Sequence, residues 1–131
     1  MKTCSLICAD GYYLNNNYCL ACDVSCMTCG IKSTICTKCD SSGLYPYYNQ
    51  ILNTCSKICV DGYFQDVNLC VPCSVICLTC TITELTCKSC NLNSPYPYLN
   101  PSLNTCNYYC GDGYFLKMNY CLTCDVSCST C

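Results

Sequence analysis

The chain has 131 residues, of which 22 are cysteine and 13 tyrosine, with six lysines, eight acidic residues and a net charge of −2. Cysteine at this density marks a disulfide scaffold, and the aliphatic residues that remain are too few for an ordinary core. The chain has no histidine or arginine, and its lysines are scattered singly from Lys2 to Lys117. Those counts exclude a basic nucleic-acid binder, a histidine-dependent enzyme and a coiled coil.

In chain order, the N-terminus lacks a signal-peptide pattern, because Cys4 and Cys8 interrupt any apolar run. No stretch reaches the ~18 apolar residues of a membrane span. Cysteine usage fits an oxidising compartment. The localisation expected is therefore extracellular, secreted or on a cell surface, with the export signal outside this sequence. From Cys4 the gaps between cysteines run 3, 10, 2, 3, 2, 6, 2 and 15 residues to Cys55. The same gaps lead from Cys55 to Cys106, and the first five recur from Cys106 to Cys131. The period is 51 residues, and no cysteine falls outside the register. Self-similarity at a fixed spacing is the mark of a repeat architecture. It divides the chain into repeats at 4–54 and 55–105, with eight cysteines each, and a partial repeat at 106–131 with six. Met1-Lys2-Thr3 stands where the later copies have Leu52-Asn53-Thr54 and Leu103-Asn104-Thr105. The chain thus starts and stops partway through a repeat, and an excerpt of a longer array, or a subunit completed by its neighbour, is the expectation.

Within a repeat, Asp10-Gly11, Asp61-Gly62 and Asp112-Gly113 are turn signals, each followed by aromatic residues that favour short strands. Gaps of two or three residues leave no room for helices. The segments from Cys39 to Cys55 and from Cys90 to Cys106 are the longest loops, and their prolines make them partly extended and stiff. The fold expected is small and disulfide-rich, irregular with short β-hairpins. It is an elongated tandem-repeat rod with essentially no helix and no hydrophobic core. Tyr12, Tyr13, Tyr63, Phe64, Tyr114 and Phe115 are read as covers over adjacent disulfides. Tyr45, Tyr47, Tyr48, Tyr96 and Tyr98, in the long loops, are candidates for lateral contact, since tyrosine suits half-wet interfaces.

Disulfides are favoured over the alternatives for the cysteines. A chain with so little apolar material needs staples, and closing a loop of ~15 residues contributes roughly 3 kcal/mol in the loop-entropy model. Cys-x-x-Cys pairs in fours also make zinc sites. Several dianionic Cys4 sites would sit poorly with six cations and no histidine, so no metal and no cofactor are expected. A redox enzyme would need such a pair in a βαβ setting, which is missing here. Asp10, Asp61 and Asp112 are read as turn residues rather than calcium ligands. No Asn-x-Ser/Thr acceptor with x other than Pro is present. Asn17, Asn53, Asn68, Asn104 and Asn119 each precede a cysteine by two and are poor acceptors if it is bridged. O-linked glycan on the Ser and Thr residues stays open. With carboxylates spread one to a loop and no base, no enzyme activity is expected.

The spacing resembles the furin-like, growth-factor-receptor type of cysteine-rich repeat. The residues that carry the likeness are Cys4-x3-Cys8, Asp10-Gly11-Tyr12-Tyr13, Cys19-x2-Cys22-x3-Cys26-x2-Cys29 and x6-Cys36-x2-Cys39. Low charge and abundant Asn and Tyr look most like the long arrays in protist, ciliate-type surface proteins. Eight cysteines alone allow about a hundred pairings, but the resemblance implies one. It alternates single-bridge loops with a crossed pair. In the first copy that gives Cys8–Cys19, Cys22–Cys29, Cys26–Cys36 and Cys39–Cys55. In the second it gives Cys59–Cys70, Cys73–Cys80, Cys77–Cys87 and Cys90–Cys106. In the third it gives Cys110–Cys121 and Cys124–Cys131. Cys4 and Cys128 are left unpaired within the chain.

The function expected is structural: a disulfide-stapled rod or fibre of a cell surface, coat or appendage. Its expected partners are neighbouring repeats or copies of itself, with attached glycans as a further candidate, and neither nucleic acid nor a membrane span. The alternative is a ligand-binding module of a receptor-type or secreted ectodomain.

Overall fold

The computed structural model describes residues 7–131, which form fourteen short strands and no helix. Chain geometry starts at the Asp-Gly turns. Gly11, Gly62 and Gly113 have φ of 84°, 88° and 83°, the left-handed region that glycine enters without a Cβ clash. Across each turn the following tyrosine N–H donates to a carbonyl three residues back: Tyr12 to Ala9, Tyr63 to Val60 and Tyr114 to Gly111. These turns precede the hairpins rather than connect their strands. β1 (Tyr12–Asn15) and β2 (Tyr18–Ala21) are joined by Asn16-Asn17, at φ 48° and 65°. Positive φ at both loop residues is the type I′ geometry whose twist matches the flanking strands.

The small ladder of β3 (Thr28–Cys29) and β4 (Cys36–Lys38) follows, then the long loop carrying β5 (Tyr47–Asn49) and β6 (Thr54–Ser56). The second copy repeats the order with β7 (Tyr63–Asp66), β8 (Leu69–Pro72), β9 (Cys77–Cys80), β10 (Cys87–Cys90), β11 (Tyr98–Asn100) and β12 (Thr105–Asn107). The third begins with β13 (Tyr114–Lys117) and β14 (Tyr120–Thr123). Two four-stranded sheets result, in the orders β6-β5-β8-β7 and β12-β11-β14-β13. In each, the long-loop strand runs parallel to a strand of the next hairpin, Tyr48 opposite Leu69 and Leu99 opposite Tyr120.

The chain divides into two compact units. One takes the described residues through Cys59 together with Gln65–Cys70, and the other takes Val60–Phe64 with Val71–Cys131. The division runs through the β7–β8 hairpin, whereas the 51-residue sequence period counts from Cys55.

What is buried is almost entirely sulfur. In the first unit Cys26, Cys36 and Cys55 cluster beneath Tyr45 and Tyr48. In the second, Cys77, Cys80, Cys87, Cys90 and Cys106 cluster with Phe64, Ile76 and Leu99 packed against them. Of the aromatic pairs after each Asp-Gly turn, Phe64 packs on a cluster while Tyr12 is exposed. Cysteine thus occupies the positions that Leu or Ile fill in a larger domain, because covalent closure replaces much of the burial that a small chain cannot achieve.

Candidate functional site: the disulfide ladder and its loops

Ten disulfides join the chain: Cys8–Cys19, Cys22–Cys29, Cys26–Cys36, Cys39–Cys55, Cys59–Cys70, Cys73–Cys80, Cys77–Cys87, Cys90–Cys106, Cys110–Cys121 and Cys124–Cys131. These are the pairs the family resemblance implies. Their Cα atoms lie 5.1–5.8 Å apart, the ordinary span for a bridge. Cys128 is free and exposed, and Cys4 lies outside the described residues. The sulfurs of Cys77, Cys87 and Cys106 lie within 4.8 Å of one another. All three are held in disulfides, so none offers a thiolate to a metal.

Backbone hydrogen bonds anchor one cysteine of several bridges, and they recur between copies. The Cys22, Cys73 and Cys124 N–H groups donate to the carbonyls of Gly11, Gly62 and Gly113. The Cys36 N–H donates to the Asn53 carbonyl at 2.8 Å, and the Cys87 N–H to Asn104 at 2.7 Å. The long loop is thereby tied to the crossed pair beside it.

Two residues that the sequence reading passed over organise those loops. Asn49 and Asn100 are the only buried polar side chains among the described residues. Asn49 Oδ1 accepts from the N–H groups of Ile51 and Leu52, both at 3.0 Å. Asn100 Oδ1 accepts from Ser102 and Leu103 at 3.0 and 3.1 Å. Each amide side chain serves as a local cap, satisfying backbone donors that no strand partner reaches. Tyr-x-Asn recurs here at the 51-residue period, as Tyr47-Tyr48-Asn49 and Tyr98-Leu99-Asn100. That recurrence was the available signal.

The long-loop tyrosines differ among themselves. Tyr45, Tyr47, Tyr48 and Tyr98 are half-buried and Tyr96 is exposed. The Tyr48 hydroxyl lies 3.2 Å from the Cys36 carbonyl and 3.1 Å from Asn53 Oδ1, so its polar end is used within its own unit. Tyr45 also carries the Lys57 ammonium 5.7 Å from its ring centroid, within cation–π range. In the second copy Leu99 stands where Tyr48 does, and packs on sulfur instead.

Asp23, Asp40 and Asp125 close short turns by accepting from both the hydroxyl and the N–H of the serine two residues on. Those donors hold the three carboxyls below the ordinary carboxylate range, the serine hydroxyl leading at Asp23 and Asp40 and the backbone N–H at Asp125. In the second copy Ser74 and Asn91 take the places of the aspartates, and Asn91 keeps the turn through the Asn93 N–H at 3.0 Å.

Fold and ladder together define a disulfide-rich protein built from tandem cysteine repeats. The chain is similar to cysteine repeat modular protein 2 of Tetrahymena thermophila, being 35% identical over 153 residues that take in 95% of this chain and 8% of that protein. It is similar also to cysteine repeat modular protein 1 of the same organism, 35% identical over 68 residues, 50% of this chain and 3% of that protein. The chain therefore spans less than a tenth of the length of these curated relatives. No family model matches the chain, and no solved structure matches it.

Proposed function

We propose that the chain is a structural segment of an extracellular protein, in which furin-like repeats form a disulfide-stapled rod or fibre of a cell surface, coat or appendage. The observation that carries this reading is the recurrence of exposed apolar side chains at the repeat interval. Val24, Val75 and Val126 share one position and are almost wholly exposed. Ile7, Ile58 and Tyr109 share a second, Ile31 and Ile82 a third, and Leu52 and Leu103 a fourth. Side chains of this kind on loops already closed by disulfides do nothing for the fold of their own copy. A repeating assembly gives them the same neighbour at the same interval, and a fibre needs the same outer residues in every copy. The names of the curated relatives, which describe cysteine repeats, fit an array. The protein is read as non-enzymatic, with copies of itself or neighbouring repeats as partners.

A binding module is the second reading, and one copy-specific feature favours it. An open groove of about 500 Å³ in the second unit is lined by Leu78, Lys88, Leu92, Pro97, Leu99 and Tyr120. The first copy has Thr37 and Ser41 in place of Lys88 and Leu92. The mass of the native polypeptide under reducing, denaturing conditions decides between the readings. A mass many times 14.5 kDa is expected for the array. A mass near 14.5 kDa would overturn it in favour of a self-assembling subunit or a small secreted binding module.

A further inference from the structure

The same hairpin occurs three times in this chain, and its outer edge is treated differently in the first copy. In the second copy β8 has two neighbours, β7 on one side and β5 on the other. In the third, β14 lies between β13 and β11. Each junction is a parallel pairing at one position, and in both one backbone bond reaches the carbonyl of the asparagine just ahead of the strand. The Tyr48 N–H donates to the Asn68 carbonyl at 2.8 Å, and the Leu99 N–H to the Asn119 carbonyl at 2.9 Å. Among the described residues β2 pairs with β1 alone. Its Asn17 carbonyl is the equivalent acceptor, since Asn17, Asn68 and Asn119 are spaced at the repeat interval.

Exposure shows the consequence. Cys70 and Cys121 are 5% and 0% exposed beneath their incoming strands, while Cys19, the same residue of the first hairpin, is exposed. Tyr18 beside it is 72% exposed, against 36% for Leu69 and 48% for Tyr120. An open strand edge offers unpaired carbonyls and N–H groups to an extended segment.

We infer that the edge of β2 is a docking site for one kind of occupant: the Tyr-x-Asn strand of a long, disulfide-closed loop from another repeat of this type. It docks parallel to β2 and donates one N–H to Asn17. The occupant is specified by the two junctions within the chain, where strands Tyr47–Asn49 and Tyr98–Asn100 make this contact. Such a strand brings an N–H for the Asn17 carbonyl and an apolar or aromatic side chain to cover Cys19. Its own asparagine then caps the turn that follows, as Asn49 and Asn100 do. This inference rests on the array reading for the source of the loop, but its geometry stands on the two internal junctions.

The test extends the chain by placing a second copy of residues 55–105 directly ahead of Cys4, which keeps the cysteine register. Free thiols are blocked, the protein is exposed to a small thiol reductant, and each disulfide is followed by alkylation and mass spectrometry. In the original chain Cys8–Cys19 should open faster than Cys59–Cys70 and Cys110–Cys121. In the extended chain it should slow to their rate, because reduction requires access to the sulfur. Leu99→Pro in the added copy alone removes the donor N–H, and should restore fast reduction of Cys8–Cys19 while Cys59–Cys70 keeps its rate.

An unchanged Cys8–Cys19 rate in the extended chain would overturn the inference, as would full protection surviving the proline. Protection that instead rises with concentration of the original chain, in step with a dimer in sedimentation, would put a second β2 edge at the site and overturn it too. A native polypeptide of many repeats combined with an unprotected Cys8–Cys19 would remove this inference and leave the array reading standing.

Discussion

Val67, like Ile82, is a β-branched residue held at positive φ. It occupies the first loop position of the β7–β8 hairpin at φ 52°, where the first copy has Asn16 at 48° and the third has Met118 at 55°. A β-branched side chain in the left-handed region costs about 1–2 kcal/mol, and asparagine tolerates that region best after glycine. Val67→Asn should therefore raise stability by about 1 kcal/mol, read as a shift in the denaturant midpoint at constant slope. Asn100 is the opposite case. Its buried side chain caps Ser102 and Leu103, and Asn100→Ala leaves both N–H groups without that acceptor. The expected loss is about 1–3 kcal/mol, with faster amide exchange at those two residues and unchanged exchange at Ile51 and Leu52 in the other copy.

Short polar turns join these elements, and three of them are acid-sensitive. Asp23, Asp40 and Asp125 titrate below the ordinary carboxylate value when folded, because Ser25, Ser42 and Ser127 donate to the charged form. Their contribution is complete above the unfolded carboxylate value and is lost as pH falls through the lowered folded one. Amide protection at those serines should therefore hold at neutral pH and decline as pH falls below the ordinary carboxylate value. Ser25→Ala should move the Asp23 titration, followed by carboxyl carbon NMR, back toward the ordinary value and leave Asp125 in place. The turn reading of Asp-Gly was legible in the sequence, since glycine at φ near +85° is a local requirement. The connection within each hairpin was less so. Asn16-Asn17 advertises a two-residue turn, but Val67-Asn68 and Met118-Asn119 carry no such signal and are held open by the strands on either side.

The disulfide ladder behaves as a graded whole, because its sulfurs differ in access to water and reductant. Cys36 and Cys87 are 1% exposed, whereas Cys19 and Cys131 lie at the surface. Under limiting reductant Cys8–Cys19 and Cys124–Cys131 should open first, and Cys26–Cys36 and Cys77–Cys87 last, as followed by stepwise alkylation and mass. Simultaneous loss of all ten bridges would count against the two buried clusters described above. The cysteine spacing by itself determined the repeat, its 51-residue period and the absence of room for helices, because gaps of two or three residues between bridged cysteines leave few backbone choices. The pairing was not legible in spacing alone. It came from the likeness to a repeat family, since many pairings share one set of gaps. Only the tertiary structure decided that Asn49 and Asn100 are buried, that Tyr48 turns its hydroxyl inward, and that β8 and β14 gain a parallel partner. The last of these depends on segments about twenty residues apart, Tyr48 with Asn68 and Leu99 with Asn119, meeting at one carbonyl, and neither composition nor local periodicity records which backbone group is left waiting there.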